Sequence, residues 1–154
     1  MTVRKAPKKN ERYAFILVSD EKNWHTLCEH CRGQKGIFAF VRKSTVAPVE
    51  TQKLLFYVKK PVMQIRGMAD FFERQTGERA ELWRKMGKES CFQNFDEYLD
   101  FIEGREKATF IRFKNLRELE NPVPAEVFTS VTGLSSVFRG GRYLTLEQFG
   151  QLLI

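Results

Sequence analysis

The sequence predicts an α+β domain built on a small, bent, mixed β-barrel of five or six strands with helices packed outside it. Runs rich in aliphatic and aromatic residues occur at 13–18, 36–42, 54–59, 63–72 and 107–114, as is typical of strands. Residues 63–72 also alternate between an apolar face, which includes Ile65, Gly67 and Ala69, and a mostly polar face, which indicates a half-buried strand. Gly67 interrupts the apolar face, so we expect a bulge, a bend or a close backbone approach there. Helical patterns do not alternate regularly with the strands, which argues against a doubly wound sheet.

The chain of 154 residues is long enough for one domain with a sizeable core, which we place at residues 13–154. Five basic residues against Glu11 give residues 1–12 a net charge of +4, and the whole chain carries +7. Only +3 is therefore left for the domain itself. We expect residues 1–12 to form a disordered arm that either adds salt-sensitive affinity for phosphates or keeps the protein soluble.

The composition of the chain limits its possible cellular location and partners. No apolar run approaches the ~20 residues that a membrane-spanning helix needs, and the N-terminus has no signal-peptide pattern. Three cysteines, an odd number, argue against a disulfide framework. These features predict a cytoplasmic protein without a membrane partner.

Helical periodicity marks four segments between and after the strands. Residues 20–33 carry an apolar stripe, and residues 76–87 with a second helix after Asn94 form a helical insertion at about 76–104. Capping-box spacing links Asn94 to Glu97 and Thr145 to Gln148, the second pair starting the last helix. Prolines at 122 and 124 start a short helix within residues 121–131, and residues 133–143 read as a glycine- and serine-rich loop.

The order of these elements resembles the PUA-like superfamily, which includes PUA, ASCH, EVE and YTH domains. The similarity covers residues 13–153 and is closest to small stand-alone prokaryotic members. Its strongest parts are Leu55-Phe56-Tyr57, the run Ile-Arg-Gly-Met-Ala at 65–69, and Gly140-Gly141-Arg142-Tyr143.

The resemblance implies a non-catalytic module that binds RNA or a nucleotide, with a base, modified or unmodified, in a groove beside the strand pair. Single-stranded RNA is recognised by stacking on aromatic rings and by basic side chains at its phosphates. The groove would lie between residues 42–45, 64–66 and 139–142. Its candidate residues are Trp24, Phe38, Phe40 and Tyr57 for stacking, Gln64 for a base edge, Arg42, Lys43, Arg66, Arg139 and Arg142 for phosphates, and Ser44, Thr45, Ser135 and Ser136 as hydroxyl donors.

A metal or cofactor site is not predicted. His25, Cys28, His30 and Cys31 are ligand types that zinc favours, but they lie on one predicted helix, where they cannot converge on one ion. Cys28 and Cys31 instead share the apolar stripe with Trp24, so we interpret them as core residues. A redox CxxC motif normally opens a helix, and this pair lies late in one.

Two alternatives to RNA binding stay open. Some ASCH-type proteins are small hydrolases that use a lysine and a threonine after the second strand, positions that Lys43 and Thr45 occupy here. That resemblance implies an amidohydrolase-like enzyme acting on a modified nucleoside. The other alternative is a protein-interaction module whose partner pairs with an exposed sheet edge.

Overall fold

The computed structural model describes residues 11–44, 47–134 and 141–153, and the following statements concern those residues. The strands are β1 (Ala14–Ser19), β2 (Phe38–Arg42), β3 (Lys53–Val58), β4 (Gln64–Glu78), β5 (Lys107–Pro124) and β6 (Arg142–Leu144). The helices are α1 (Glu21–Cys31), α2 (Arg79–Met86), α3 (Phe95–Phe101), α4 (Ala125–Thr132) and α5 (Leu146–Leu153), with a 3₁₀ turn at Gly87–Glu89. The basic arm lies outside the described residues, apart from its last two.

The six strands form one mixed sheet in the order β2-β5-β4-β3-β1-β6. Only β1 and β3 run parallel, and the other neighbouring pairs are antiparallel. The two edge strands are therefore β2 and β6. This arrangement confirms the predicted α+β class and the mixed six-stranded sheet.

The sheet curls around a core of buried residues on its concave face. Phe40 of β2 lies with its ring centroid 5.9 Å from that of Phe56 on β3. In a flat sheet these strands would stand roughly 14 Å apart, because two strands lie between them and neighbours are spaced by about 4.8 Å. Tyr143 of the other edge strand packs against the same cluster as Phe40. The strong bend predicted from the sequence is thus present, although the sheet is not closed.

Two of the three features expected at Gly67, a bulge and a close approach to the backbone, are confirmed. Helix α1 crosses the concave face there, and a Cβ at Gly67 would collide with the Trp24 indole. Tyr57 pairs with Ile65 whereas Phe56 pairs with Gly67, so Arg66 is the extra residue of a β-bulge. One part of the prediction is wrong: the bulge turns Ile65 away from Gly67 and Ala69, into the cluster on the convex face.

Strands β4 and β5 are longer than the sequence predicts. Strand β4 continues to Glu78 where a helix was expected from residue 76, and β5 continues past residue 114 to Pro124. The two strands pair along almost their whole length, and three register shifts absorb the irregular spacing. Cross-strand pairing thus overrides the weak local signals for loop and helix in these segments. The helix expected within 121–131 begins at Ala125 for the same reason.

The helical insertion packs on the sheet of its own chain. Tyr98 and Ile102 of the insertion share a buried cluster with Ala39 and Phe110 of strands β2 and β5. The Tyr98 hydroxyl donates a 2.9 Å hydrogen bond to the Arg79 carbonyl, and burial raises the pKa of this tyrosine to about 12. Both predicted capping residues hold their helices: the amide of Glu97 donates to Asn94, and Gln148 donates to Thr145.

The predicted core cysteines are buried beside Trp24, as expected. Cys28 and Cys31 lie in the concave cluster with Cys91 near them, and burial raises the pKa of each thiol to about 12. No group of three or more histidine, cysteine or acidic residues within the described ranges is arranged to hold a metal ion. The described helices also include none that is long and apolar enough to cross a membrane.

Candidate nucleic-acid interface

The sheet is not closed, so an opening, which we call the seam, separates its edge strands β2 and β6. Phe40 of β2 and Tyr143 of β6 pack against the same concave cluster. Residues 43–44 and 47–52 of the connection between β2 and β3 belong to the seam, because the Val49 amide donates a 2.8 Å hydrogen bond to the Tyr143 hydroxyl. Arg42 and Arg142, from two of the three predicted groove segments, lie on its two strands.

Arginines on the concave side of β2 and β4 lie beside this opening. Paired residues of neighbouring strands project from the same face, so Phe40, Ile111 and Arg74 form one row, and Arg42, Thr109 and Thr76 form the next. The two threonine hydroxyls lie 3.0 Å apart. Arg42 is half-buried, and its burial lowers the pKa of the guanidinium. The rows present two cations and the Thr76 hydroxyl beside the Phe40 ring, whereas Thr109 is fully buried.

Lys43 is tied to the helical insertion. Its ammonium nitrogen lies 2.6 Å from Oε2 of Glu103, and both side chains are about half exposed. Arg105 donates a hydrogen bond to the Lys43 carbonyl, which adds a second link between the insertion and the seam. The lysine lowers the pKa of Glu103 through this contact. The carboxylate thus neutralises part of the positive charge that the seam would otherwise carry.

Three of the predicted stacking residues belong to the core instead. Trp24 and Phe38 are buried in the concave cluster, and Phe38 is fixed edge-on to the His30 ring at 5.3 Å. Tyr57 is buried in the convex cluster, where desolvation raises its pKa. Sequence alternation indicated strands correctly but could not show that both faces of β2 and β3 are covered. Phe40, which is only half-buried, is the predicted stacking residue that borders the seam.

The third predicted groove segment, residues 64–66, lies away from the seam. Gln64 pairs with Val58 at the end of β3, whereas the connection from β2 enters β3 at Lys53. The length of β3, roughly 17 Å, therefore separates Gln64 from this connection. Arg66 lies near Cys28 of α1, where its charge acts on the thiol. Gln64 and Arg66 therefore do not join Arg42 at one groove.

Solved structures with this architecture come from Zymomonas mobilis. The ASCH protein of that organism matches with a TM-score of 0.72 and 20% identity, over 92% of this chain and 94% of that one. A serine-to-alanine mutant protein of it matches at 0.74 and 20%, over 93% of this chain and 96% of that one. A tyrosine-to-phenylalanine mutant protein matches at 0.73 and 19%, over 92% and 96%.

This chain has the fold of an ASCH domain. The match confirms the PUA-like architecture that the sequence resemblance implied. No protein-family model matches the sequence, and no curated protein shows significant similarity to it. At this level of identity the likeness concerns the fold, and the candidate site of this chain is defined by its own residues.

Some predicted residues of this ASCH fold cannot be compared with the structure. Thr45, Ser135, Ser136 and Arg139 lie outside the described residues. Arg142 is described, and it pairs with Ile16 of the convex cluster, so its side chain leaves the sheet on the opposite face to Tyr143. The backbone of Arg142 is part of the seam, whereas its side chain lies on the convex face.

Arg74 and Tyr143 were not predicted as site residues. Arg74 was missed because the strand was expected to end at residue 72. Extending the period of two would have placed it opposite Gly67 and Ala69, and the register shift between Phe71 and Glu73 turns it to the concave face. Tyr143 stood within the strongest part of the family resemblance without being assigned a role. Its ring is contacted by Phe15 at 5.1 Å, and the Arg12 guanidinium lies over it at 4.9 Å.

A cleft of about 320 Å³ lies between β4 and α2 of the ASCH fold, and Thr76 forms part of its lining. Its acidic residues are committed to structural contacts. The Glu78 carboxylate accepts from the amides of Ala80 and Glu81 and so caps α2, and Glu73 is paired with Arg112. This acid-lined cleft is poorly suited to a phosphate, so the seam is the better candidate for an RNA contact.

Proposed function

We propose that this ASCH-fold domain is a non-catalytic module that binds single-stranded RNA or a nucleotide along the seam. The observations that support the proposal most are that Arg42, Arg74 and Phe40 share the concave face of the sheet, and that Phe40 and Tyr143 pack against the same cluster. RNA-binding surfaces for single strands combine such cations with exposed aromatic rings. The described cysteines are free thiols, which suits action in the cytoplasm.

Each class of side chain has a distinct role in this mechanism. The guanidinium groups of Arg42 and Arg74 hold phosphates or base edges through forked hydrogen bonds. Phe40 offers a ring edge to a base, and Ser44 and Thr76 add hydroxyl groups. Thr45, Ser135 and Arg139 stay candidate contacts of the same ligand. A modified base would be read at this opening by the same contacts.

The double change Arg42→Ala with Arg74→Ala tests the proposal directly. We expect it to weaken binding of a labelled single-stranded RNA by about 10- to 100-fold, because each lost charge-assisted contact costs about 1.5–3 kcal/mol before water and neighbouring cations compensate. The slope of log affinity against log salt should fall by about 0.7 per lost phosphate contact. Fluorescence anisotropy at low and moderate salt measures both quantities.

The matched control is Arg84→Ala, which removes an exposed arginine paired with Glu81 on α2, away from the seam. A version of the chain that starts at Arg12 separates groove binding from attraction by the basic arm. Equal affinity of the folded double variant and the control for RNA would contradict the proposal. Loss of all binding on removing the arm would show that charge alone had attracted the RNA.

A second candidate is the amidohydrolase-like enzyme acting on a modified nucleoside, and the Lys43–Glu103 contact favours it. A carboxylate 2.6 Å from an amine gives a proton-transfer pair beside the loop that contains Thr45. In that reaction water would add to the acyl carbon of an N-acylated base, and the base would leave as the free amine with a carboxylic acid as the other product.

The hydrolase candidate predicts that Lys43→Ala abolishes turnover of an N-acylated cytidine, and that Glu103→Gln lowers it at least 10-fold. Release of the deacylated nucleoside, followed by chromatography, measures the rate, and Lys85→Ala on α2 serves as the control. An unchanged rate in Lys43→Ala would eliminate Lys43 from catalysis. If Glu103→Gln instead tightens RNA binding, the pair is better explained as a neutralised phosphate contact.

A further inference from the structure

We propose that Tyr143 is the residue on which a base of the bound strand stacks, and that Arg12 occupies the ring face until the strand arrives. The inference rests on the proposed function and adds a specific residue to it. Three contacts of the ring, with Phe15, Val49 and Arg12, carry the inference.

Two of these contacts hold the ring in a fixed orientation. Phe15 meets it at an interplanar angle of 81° with 5.1 Å between the centroids, and Phe15 is itself buried. The ring hydroxyl accepts the Val49 amide at 2.8 Å. A side chain held at both its edge and its tip loses little further freedom when a ligand binds, which favours its use as a recognition surface.

The third contact shows that one face of the ring is reachable. The guanidinium of Arg12, an exposed residue, lies over the ring with its central carbon 4.9 Å from the centroid. A guanidinium is planar and stacks on an aromatic face much as a base does. The face of Tyr143 thus already carries a flat cationic group that enters from the surface.

The binding preferences of the two possible stacking partners predict that a base replaces the Arg12 guanidinium on the Tyr143 ring. An exposed cation–π contact contributes roughly a 2- to 5-fold preference, whereas a base stacked on an aromatic ring contributes roughly 5- to 150-fold. The base therefore displaces Arg12 or is sandwiched beneath it. The displaced guanidinium lies at the end of the basic arm, next to the strand's phosphates, and adds an ionic contact there.

The position of Tyr143 in the seam suits base stacking better than the position of Tyr13 does. It lies on β6, directly after the glycines of the 133–143 segment, and its hydroxyl fastens the connection that leads from Arg42. A strand held by Arg42 and Arg74 at one border of the seam would meet the Tyr143 face at the other. Tyr13, by contrast, packs on Phe149 at 5.0 Å and belongs to the convex cluster.

The test uses the full chain and a single-stranded RNA containing 4-thiouridine. Ultraviolet crosslinking followed by trypsin digestion should place the crosslink on the C-terminal peptide that begins at Tyr143, since trypsin cleaves after Arg142. In anisotropy measurements Tyr143→Leu should bind 5- to 150-fold more weakly, and Tyr143→Phe should stay within about 3-fold of the original protein. Arg12→Gln should lower the salt slope by about 0.7. Tyr13→Leu is the matched control, with thermal melting to verify that each variant is folded.

The outcomes separate this inference from the proposed function. If Tyr143→Leu binds normally while the Arg42 and Arg74 double variant does not, the seam binds RNA without stacking on Tyr143, and the inference is overturned alone. Equal losses in Tyr143→Phe and Tyr143→Leu would assign the effect to the Val49 hydrogen bond and would also overturn it. A full chain that binds no RNA at all overturns both proposals. Crosslinking in the unaltered protein decides the matter even if a variant fails to fold.

Discussion

Replacing Gly67 with alanine is expected to lower the free energy of unfolding by about 2–3 kcal/mol, at the upper end of the range for overpacked cores. A Cβ at this position would lie 2.9 Å from Cζ2 of Trp24, closer still to Cη2, and 3.2 Å from the Arg117 carbonyl. The indole cannot move aside easily, because Trp24 is only 2% exposed and packs against Phe56 at 5.5 Å. Urea unfolding followed by circular dichroism measures the change.

Gly150→Ala provides the matched control for this prediction. Gly150 lies within α5, and an added Cβ there meets no described atom within 4 Å. Alanine should therefore stabilise the protein by about 0.5–1 kcal/mol through helix propensity. The double variant Gly67→Ala with Trp24→Leu should be more stable than the sum of its single changes predicts, by 1 kcal/mol or more. Strict additivity, or a Gly67→Ala variant as stable as the original, would refute the proposed collision.

Gly67 also shows which features of the fold could be predicted from the sequence. A glycine on the apolar face of an alternating strand was enough to predict a close approach or a bulge, and both are present. The alternation could not locate the extra residue of the bulge, so Ile65 was assigned to the wrong face. One inserted residue reverses every side chain on one side of it, and only the pairing partner fixes where that reversal falls.

The candidate site was predicted in part for a similar reason. Residues next to strand ends, such as Arg42 and Lys43, were recognised because a loop border is visible in sequence. Phe38 and Tyr57 look the same in sequence as Phe40, and only the packing of α1 and of the convex cluster distinguishes covered rings from a half-covered one. Arg74 became a site residue because β4 and β5 stay paired far beyond their locally predicted ends. Long-range pairing, which local propensity does not encode, thus decided which residues meet at the seam.

A second large effect is expected for Arg112→Met, which should destabilise the protein by about 2–3 kcal/mol at neutral pH. Arg112 is 17% exposed, donates to Glu73 on β4, and forks onto Glu89 with hydrogen bonds of 2.8 and 2.7 Å. Its guanidinium also lies 5.1 Å from the Phe72 ring centroid. Removing one partner of a buried ion pair typically costs 3–5 kcal/mol, and the partial exposure of Glu73 reduces the effect here. Arg84→Met, which breaks an exposed pair on α2, should cost less than 0.5 kcal/mol.

The acid dependence of this effect follows from Glu73. Hydrogen bonds from Gln75 and then from Arg112 lower its pKa, so its carboxylate stabilises the fold above the usual glutamate pKa of about 4.3. That contribution is lost as the pH falls through the lowered pKa of the folded state. The stability difference between the original protein and Arg112→Met should therefore shrink below about pH 4.3. Urea unfolding at neutral and acid pH measures the difference, and parallel curves would contradict the assignment.

The same substitution reports on how the helical insertion is held. Glu89 follows α2 in the 3₁₀ turn, so its fork with Arg112 joins the insertion to β5, while Tyr98 and Ile102 fasten it through apolar contacts. In Arg112→Met we expect amide hydrogens of α3 to exchange faster than those of β1, because one attachment of the insertion to the sheet is lost and the insertion opens locally. Uniform acceleration across the chain would instead show that the ion pair stabilises the whole fold. Since Lys43 is bound to Glu103 at the end of this insertion, local opening would also loosen the border of the seam.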